Sequence, residues 1–414
     1  MYKRLLLPLL GLSSLVGCTG TPPAPKKNPT YHKDIEPILN ANCVTCHQKD
    51  GIGPFTFLSY ADAFDKGAEM LVQTQERLMP PWHIQDDGEC QTFKDSRLLT
   101  DDQIDTITVW FDNGMPEGDP ADAPPPPPPP RSLDRVDANL DMAIDYLPDA
   151  ALTDDYRCFL VDPGLVTDRF MTAYEVLPGT PAIVHHIILF TMNSDAALAE
   201  AEALDGADGR PGYTCFGDAR VDALPIVAWA PGINLQEMPV ATGVRLPAGR
   251  KLAMQVHYNT QAVKPGQQLP TDRTIVNLKL EDTVPLEAFL ALLGDFDFVL
   301  QPGLTEALAG DTLPLDGLPF NVRLQGVLPH MHTRGQTLKF EVIRQNGETE
   351  CLANVPDWDF NWQQTYFYEQ PITVGPTDSV RISCSYNTTD ETGPIVFGES
   401  TTDEMCLIGT YITL

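Results

Sequence analysis

The sequence predicts two fold classes in one chain: a small all-α unit, then a long all-β region of two jelly-roll-like antiparallel β-sandwich domains. Three observations predict this. Pro124 to Pro130 form an unbroken proline run, which cannot lie inside a helix or sheet and reads as a polyproline II spacer of roughly 20 Å. Before it the pattern is mostly helical. After about residue 150, short alternating runs such as KLAMQVH at 251–257 and KFEVI at 339–343 stand between Gly, Pro, Asn and Asp clusters, as in antiparallel sandwiches. The β-patterned stretch of about 280 residues is large for one sandwich, so two stacked ones are expected.

In chain order, Lys3 and Arg4 precede an apolar run from Leu5 to Leu15, and Leu15-Val16-Gly17-Cys18 follows. The run is too short for a confident transmembrane helix and reads as an export signal. Its end resembles the bacterial lipobox, which implies lipidation of Cys18 and a lipoprotein facing the periplasm of the cell envelope, with the outer membrane as the expected site. Export permits disulfides. Residues 19–29 are a Pro-rich tether, 30–117 the helical unit and 118–134 the linker. Residues 135–285 and 286–414 are the two sandwiches. Within the helical unit, residues 100–114 read as its closing helix: Thr100 or Asp101 caps it, Ile104, Ile107, Trp110 and Phe111 form the apolar stripe, and Gly114 ends it. The net charge of -30 repels nucleic-acid phosphate, which sets nucleic-acid binding aside.

Cys43-Val44-Thr45-Cys46-His47 is a CxxCH motif: two thiols positioned to add across haem vinyl groups, and an imidazole to ligate the iron. The unit resembles the cytochrome c family over residues 30–117, which implies one covalently bound haem c and a second axial ligand. Met79, in Leu78-Met79-Pro80-Pro81-Trp82, is the expected ligand; Met70 and Met115 are rivals, and His83 is the bis-His alternative. His32 reads as a surface or capping residue. One haem carries one electron, so this unit is expected to donate electrons rather than to catalyse.

Five of the eight histidines fall in the β region at three places: His185-His186, His257, and His330-Met331-His332. Residues i and i+2 of a strand share a face, so His330 and His332 make a bidentate pair. Adjacent His185 and His186 would point to opposite faces unless a strand end or bulge intervenes. Imidazole sites with open positions suit copper, and a thioether favours Cu(I). The order His185, His186, His257, His330, His332, then Asp403-Glu404-Met405-Cys406 resembles the ascorbate-dependent type II copper monooxygenases, the peptidylglycine- and dopamine-hydroxylating kind, over about residues 135–414. The resemblance implies two copper ions. His185, His186 and His257, with Gln255 nearby, would hold an electron-transfer copper; His330, His332 and Met405 would hold the catalytic copper, where O2 is used to hydroxylate an sp3 C–H bond of a small organic substrate. It also implies the disulfides Cys158–Cys215 and Cys384–Cys406. Cys90 and Cys351 are left as a bond between units or as two free thiols.

Where the peptide-specific relatives carry an Arg two residues before the His-x-His pair, this chain has Leu328, and Leu407 and Gly409 replace polar residues after the Met. A neutral or apolar substrate is therefore expected, with Arg334 and Trp362 as candidate cleft residues. Electrons are expected to come from a periplasmic or membrane donor through the haem. The competing reading is a copper and haem electron-transfer or copper-handling protein without oxygenation; another is a haem sensor with vestigial copper sites.

Overall fold

A computed structural model describes residues 28–49, 53–126, 131–216, 219–229, 235–260, 263, 267–360, 362–398 and 402–414. The lipobox and Cys18 lie outside the described residues, as do prolines 127 to 130. No helix among the described residues is long and apolar enough to cross a membrane.

The N-terminal unit has a π-helical turn, Tyr31–Ile35, continuing into Glu36–Asn42, then helices Tyr60–Asp65, Gly67–Gln75 and Asp101–Asp112. Thr100 starts the last helix with a capping box: its hydroxyl accepts from Gln103 N, and Gln103 Oε1 accepts from Thr100 N. Ile107 and Trp110 enter the small core with Tyr31, Ile35 and Leu39, whereas Ile104 and Phe111 are only half-buried. Gly114 follows with a positive φ of 79°, the backbone state that ends a helix at little cost for glycine.

The expectation of a self-contained helical domain over 30–117 needs correction. Trp82, Ile84 and Phe93 belong to the apolar core of the C-terminal sandwich. Gln85 N donates to Asn354 O (2.7 Å), Lys94 N to Phe367 O (2.8 Å) and Glu369 N to Thr92 O (3.0 Å). Cys90 is disulfide-bonded to Cys351. This loop therefore folds as an added edge of the β region, because its apolar side chains find their burial there rather than among the short helices.

The β region is built on one nine-stranded sheet, in the order Ala138–Asp141, Ile275–Glu281, Arg169–Leu177, Thr242–Leu246, Leu286–Asp295, Cys406–Thr413, Val322–His330, Tyr366–Val374, with Leu235–Glu237 also pairing Arg169–Leu177. A five-stranded sheet (Tyr213–Thr214, Asp154–Val161, Leu252–Asn259, Val184–Met192, Ala223–Trp229) packs on its first half, and a four-stranded sheet (Ala307–Pro314, Ser379–Tyr386, Gly335–Ile343, Thr349–Val355) on its second. Among the described residues two apolar cores thus lie between facing sheets, as two sandwiches require, and a smaller third one lies under the helix Asp195–Leu204. The sheet itself does not break near residue 285: Leu286–Asp295 pairs in parallel with Thr242–Leu246 on one side and antiparallel with Cys406–Thr413 on the other. The two sandwiches share a wall.

Candidate metal centre

His186 and His257 sit directly opposite each other on neighbouring strands, and the pairing slips between Val184 and His186. That bulge cancels the strand alternation and turns His185 and His186 to the same side. His186 Nδ1 lies 3.4 Å from His185 Nδ1 and 3.3 Å from His257 Nδ1. One ligand atom from each of the three lies within 4.8 Å of the others.

Asp154 Oδ1 accepts from His257 Nε2 at 2.8 Å and from Asn259 Nδ2 at 3.0 Å. The carboxylate thereby favours the tautomer that keeps the proton on Nε2 and turns His257 Nδ1 towards the cluster. Tyr156 stacks on the His257 ring at 4.0 Å and 7°. Burial pushes the His186 and His257 imidazoles below the usual range, with Asp154 opposing the shift at His257, and neutral imidazole is the form a metal needs. Gln255 is fully buried and donates to Cys215 O (3.2 Å), beside the Cys158–Cys215 disulfide.

His330 ends the strand Val322–His330, and its ring meets that of His332 at 5.2 Å and 84°. Their Nδ1 atoms are engaged, His330 by Gln363 Oε1 (2.5 Å) and His332 by the Asp403 carbonyl (3.2 Å), which fixes both rings. Met405 is buried, and its neighbour-but-one Leu407 pairs with His330 across the sheet. Glu404 accepts from His332 N (2.9 Å) and Arg334 N (2.7 Å); burial pushes its carboxyl up to about 7 against those hydrogen bonds. Tyr386 donates to Met405 O (2.8 Å), and the Cys384–Cys406 disulfide closes the next position. His330, His332 and Met405 are thus brought to one sheet end by strand pairing and by side-chain hydrogen bonds to the backbone.

Phe360 links the two groups. Its ring stacks on His185 (5.3 Å, 22°) and meets His332 edge-on (6.2 Å, 85°). Beside it lies a cavity of about 620 Å³ lined by Asp154 and Asn259 from the first group's surroundings, Thr333, Arg334 and Thr402 from the second's, Trp358, Asp357 and Asp359, and Leu78 and His83 from the N-terminal unit. Arg334 lines it as expected, held by Glu391 Oε1 at 2.5 Å. The lining is largely polar, unlike the apolar surroundings expected from Leu328, Leu407 and Gly409. Those three stay within the sheet, with Leu328 opposite Gly409.

A second, larger cavity of about 1230 Å³ is lined by Cys43, Cys46, His47, Met70 and Met79, and on its far side by Trp362, Gln364 and His185. His47 Nδ1 is 3.1 Å from Phe55 O, so Nε2 is the nitrogen left to face a ligand. Gly53 is required there, since a Cβ would come within 2.6 Å of His47 Nδ1. Cys43 and Cys46 remain free thiols while the other six described cysteines form disulfides. Trp82 Nε1 is buried with no hydrogen-bond partner, and the Arg97 guanidinium lies over the indole at 5.8 Å. Thiols, imidazole, thioether, an orphan N–H donor and an arginine fit a covalently held macrocycle that carries carboxylates. Of the rival axial residues, Met70 lines this cavity, Met115 packs against Gly67 instead, and His83 lines the smaller cavity. His32 pairs with Glu36 (2.8 Å) on the helix surface.

Sequence reasoning missed Asp154, Phe360, Gln363 and Arg97. No local signal marks them: each becomes significant only through a partner brought from elsewhere in the chain.

Residues 311–413 match the family model described as the copper type II ascorbate-dependent monooxygenase, C-terminal domain. The chain is 25% identical to human DBH-like monooxygenase protein 1 over 248 residues, covering 55% of this chain and 39% of that protein. It is 23% identical to dog dopamine beta-hydroxylase over 270 residues, covering 61% and 42%. It therefore spans about two-fifths of the length of these relatives. Among solved structures, the major capsid protein P2 of bacteriophage PM2 aligns at 8% identity with a TM-score of 0.27, covering 67% of this chain and 97% of that one, a likeness that carries no argument. With its two histidine groups in place and its C-terminal residues matched, the β region of this chain is similar to the copper type II ascorbate-dependent monooxygenases.

Proposed function

We propose that the protein is a copper monooxygenase that hydroxylates an sp3 C–H bond of a small organic molecule, with electrons relayed from its own c-type haem. The observation that carries this reading is the juxtaposition of two different ligand sets, joined through Phe360: three imidazoles in one, two imidazoles and a thioether near the other. The residues fit copper because Asp154, Gln363 and the Asp403 carbonyl each engage one ring nitrogen of His257, His330 and His332, as the partners that orient metal-binding histidines do. Bound copper supplies one-electron redox chemistry and O2 activation, with the thioether favouring Cu(I). In the net reaction one oxygen atom of O2 enters the C–H bond, and the other leaves as water with two electrons and two protons.

The chain's own residues do the positioning. Asp154 fixes the His257 ring, Gln363 and the Asp403 carbonyl fix His330 and His332, and Glu404 pins the backbone between them. The substrate binds in the cavity beside Phe360, whose Asp, Thr, Asn and Arg lining favours a small polar molecule. Cys43, Cys46, His47 and Met79 would hold the haem, which would supply one-electron transfer. The protein is a lipoprotein anchored through Cys18 to the bacterial envelope, facing the periplasm at the outer membrane, and it takes electrons from a periplasmic or membrane donor.

The test is copper and haem stoichiometry on the purified protein, followed by anaerobic haem reduction and admission of O2. Two coppers and one haem per chain, with copper-dependent haem reoxidation, is the expected result. Haem reoxidation indifferent to copper would replace this reading with electron transfer or copper handling.

A further inference from the structure

We propose that electrons pass from the haem cavity into the three-histidine cluster at His185, across an interface that is permanently closed rather than formed by encounter of two tethered units. This rests on the copper and haem reading above and names the transfer path within it.

Two independent observations carry it. First, His185 is the one member of the three-histidine cluster that also lines the cavity bounded by Cys43, Cys46, His47 and Met79; His186 and His257 do not. His185 therefore borders both the cavity and the cluster, with its Nδ1 3.4 Å from His186 Nδ1. Second, the two units are locked together next to this wall. The Cys90–Cys351 disulfide spans 261 residues of sequence. Trp82 meets Tyr366 edge-on at 4.9 Å, and Phe93 stacks on Tyr368 at 5.2 Å. Three main-chain hydrogen bonds join the loop carrying these residues to the strands around Asn354 and Phe367. Such a contact, apolar, hydrogen-bonded and covalent at once, does not open and close with each electron. The proline run then has no part in bringing the centres together, although a tether would normally set their effective concentration.

Each electron moved is balanced simply: ferrous haem becomes ferric as one Cu(II) of the cluster becomes Cu(I), with no bond made or broken. The experiment uses the full-length protein, with haem and copper first counted per chain so that a failure of the underlying reading shows at that stage. Haem oxidation by bound Cu(II) is followed anaerobically by rapid-mixing absorbance. Doubling the linker with a Gly-Ser insertion in the proline run leaves this rate unchanged if the interface is closed, whereas a tethered encounter would slow about threefold. Raised solvent viscosity likewise leaves it unchanged. His185→Gln, His186→Gln and His257→Gln are then compared at equal Cu(II) occupancy, read by electron paramagnetic resonance. All three lose one ligand, but His185→Gln also loses the shared wall and is expected to slow transfer about tenfold more than the other two. If a variant retains no copper, the native protein decides alone: Cu(II), but not Zn(II), in the cluster should broaden the haem methyl proton resonances. Slowing with linker length or viscosity, equal losses in the three variants, or absence of that broadening overturns the proposal.

Discussion

His185 and His186 are consecutive in the chain, yet their Nδ1 atoms lie 3.4 Å apart on one side of the strand. A regular strand would place them on opposite faces. The slip in pairing between Val184 and His186 makes the difference, and it leaves His186 opposite His257. A single irregularity in one strand thus assembles a ligand set that no regular strand could offer.

Asp154 is the carboxylate that orients this set. Asp154→Asn should weaken copper binding at the three-histidine cluster by about 10–100-fold, because the His257 ring loses its charged Nε2 partner. The second group, which Asp154 does not touch through any hydrogen bond described above, should keep its affinity. Chelator competition with EPR-resolved occupancy measures both; equal weakening at the two groups would contradict the assignment.

Cys43→Ser with Cys46→Ser should abolish covalent haem attachment, visible as loss of haem-stained protein on a denaturing gel. Met79→His should keep the haem and lower its midpoint potential, since a thioether axial ligand raises the potential. Met70→Leu should leave the potential where it is, as a volume-conserving change in the buried wall of the cavity. A potential that moves with Met70 and not with Met79 would exchange their roles.

Replacing both Cys90 and Cys351 by Ser should cost about 2–4 kcal/mol of stability, chiefly through the larger freedom of the unfolded chain. Thermal melts measure this. Because Trp82, Ile84 and Phe93 remain buried in the same core, limited proteolysis should still leave the 82–97 loop protected in the folded state.

The Arg157 side chain is fully buried and is bonded through both terminal nitrogens to Asp208, and further to the Pro211, Arg210 and Gly212 carbonyls. The guanidinium holds the Asp208 carboxyl well below its ordinary value of 3.8. A depressed folded-state value means that this stabilisation is fully present above the ordinary carboxylate range and is lost as pH falls through the folded value. Asp208 is partly exposed, which screens the effect. Urea midpoints measured from neutral pH into strong acid should therefore fall less steeply in Asp208→Asn than in the native chain, from a lower starting stability. Identical slopes would remove Asp208 from the acid response.

Much of the chemistry was legible along the chain. CxxCH places two thiols and an imidazole within one short segment, and all three line one cavity. Strand periodicity predicts one face for His330 and His332, but the strand ends at His330, and His332 is held beside it by Glu404 and the Asp403 carbonyl. The helix cap at Thr100 and the all-β texture after residue 150 are local, set by hydrogen bonding and side-chain alternation within a few residues.

Other features exist only because distant segments meet. The 82–97 loop reads as part of the helical unit but lies on the C-terminal sandwich, since burial of Trp82, Ile84 and Phe93 is decided by which core has room for them. The shared nine-stranded sheet depends on Leu286–Asp295 pairing with a strand from each half, and hydrogen-bond pairing between strands leaves no local mark. Asp154 becomes a partner of His257, and Phe360 a contact of both His185 and His332, through neighbours far away in sequence. Sequence alone determined which candidate ligand side chains the protein carries and the β texture of its longer part. Tertiary structure decided which of them face one another, because that depends on register, on a bulge and on the packing of two cores against one sheet.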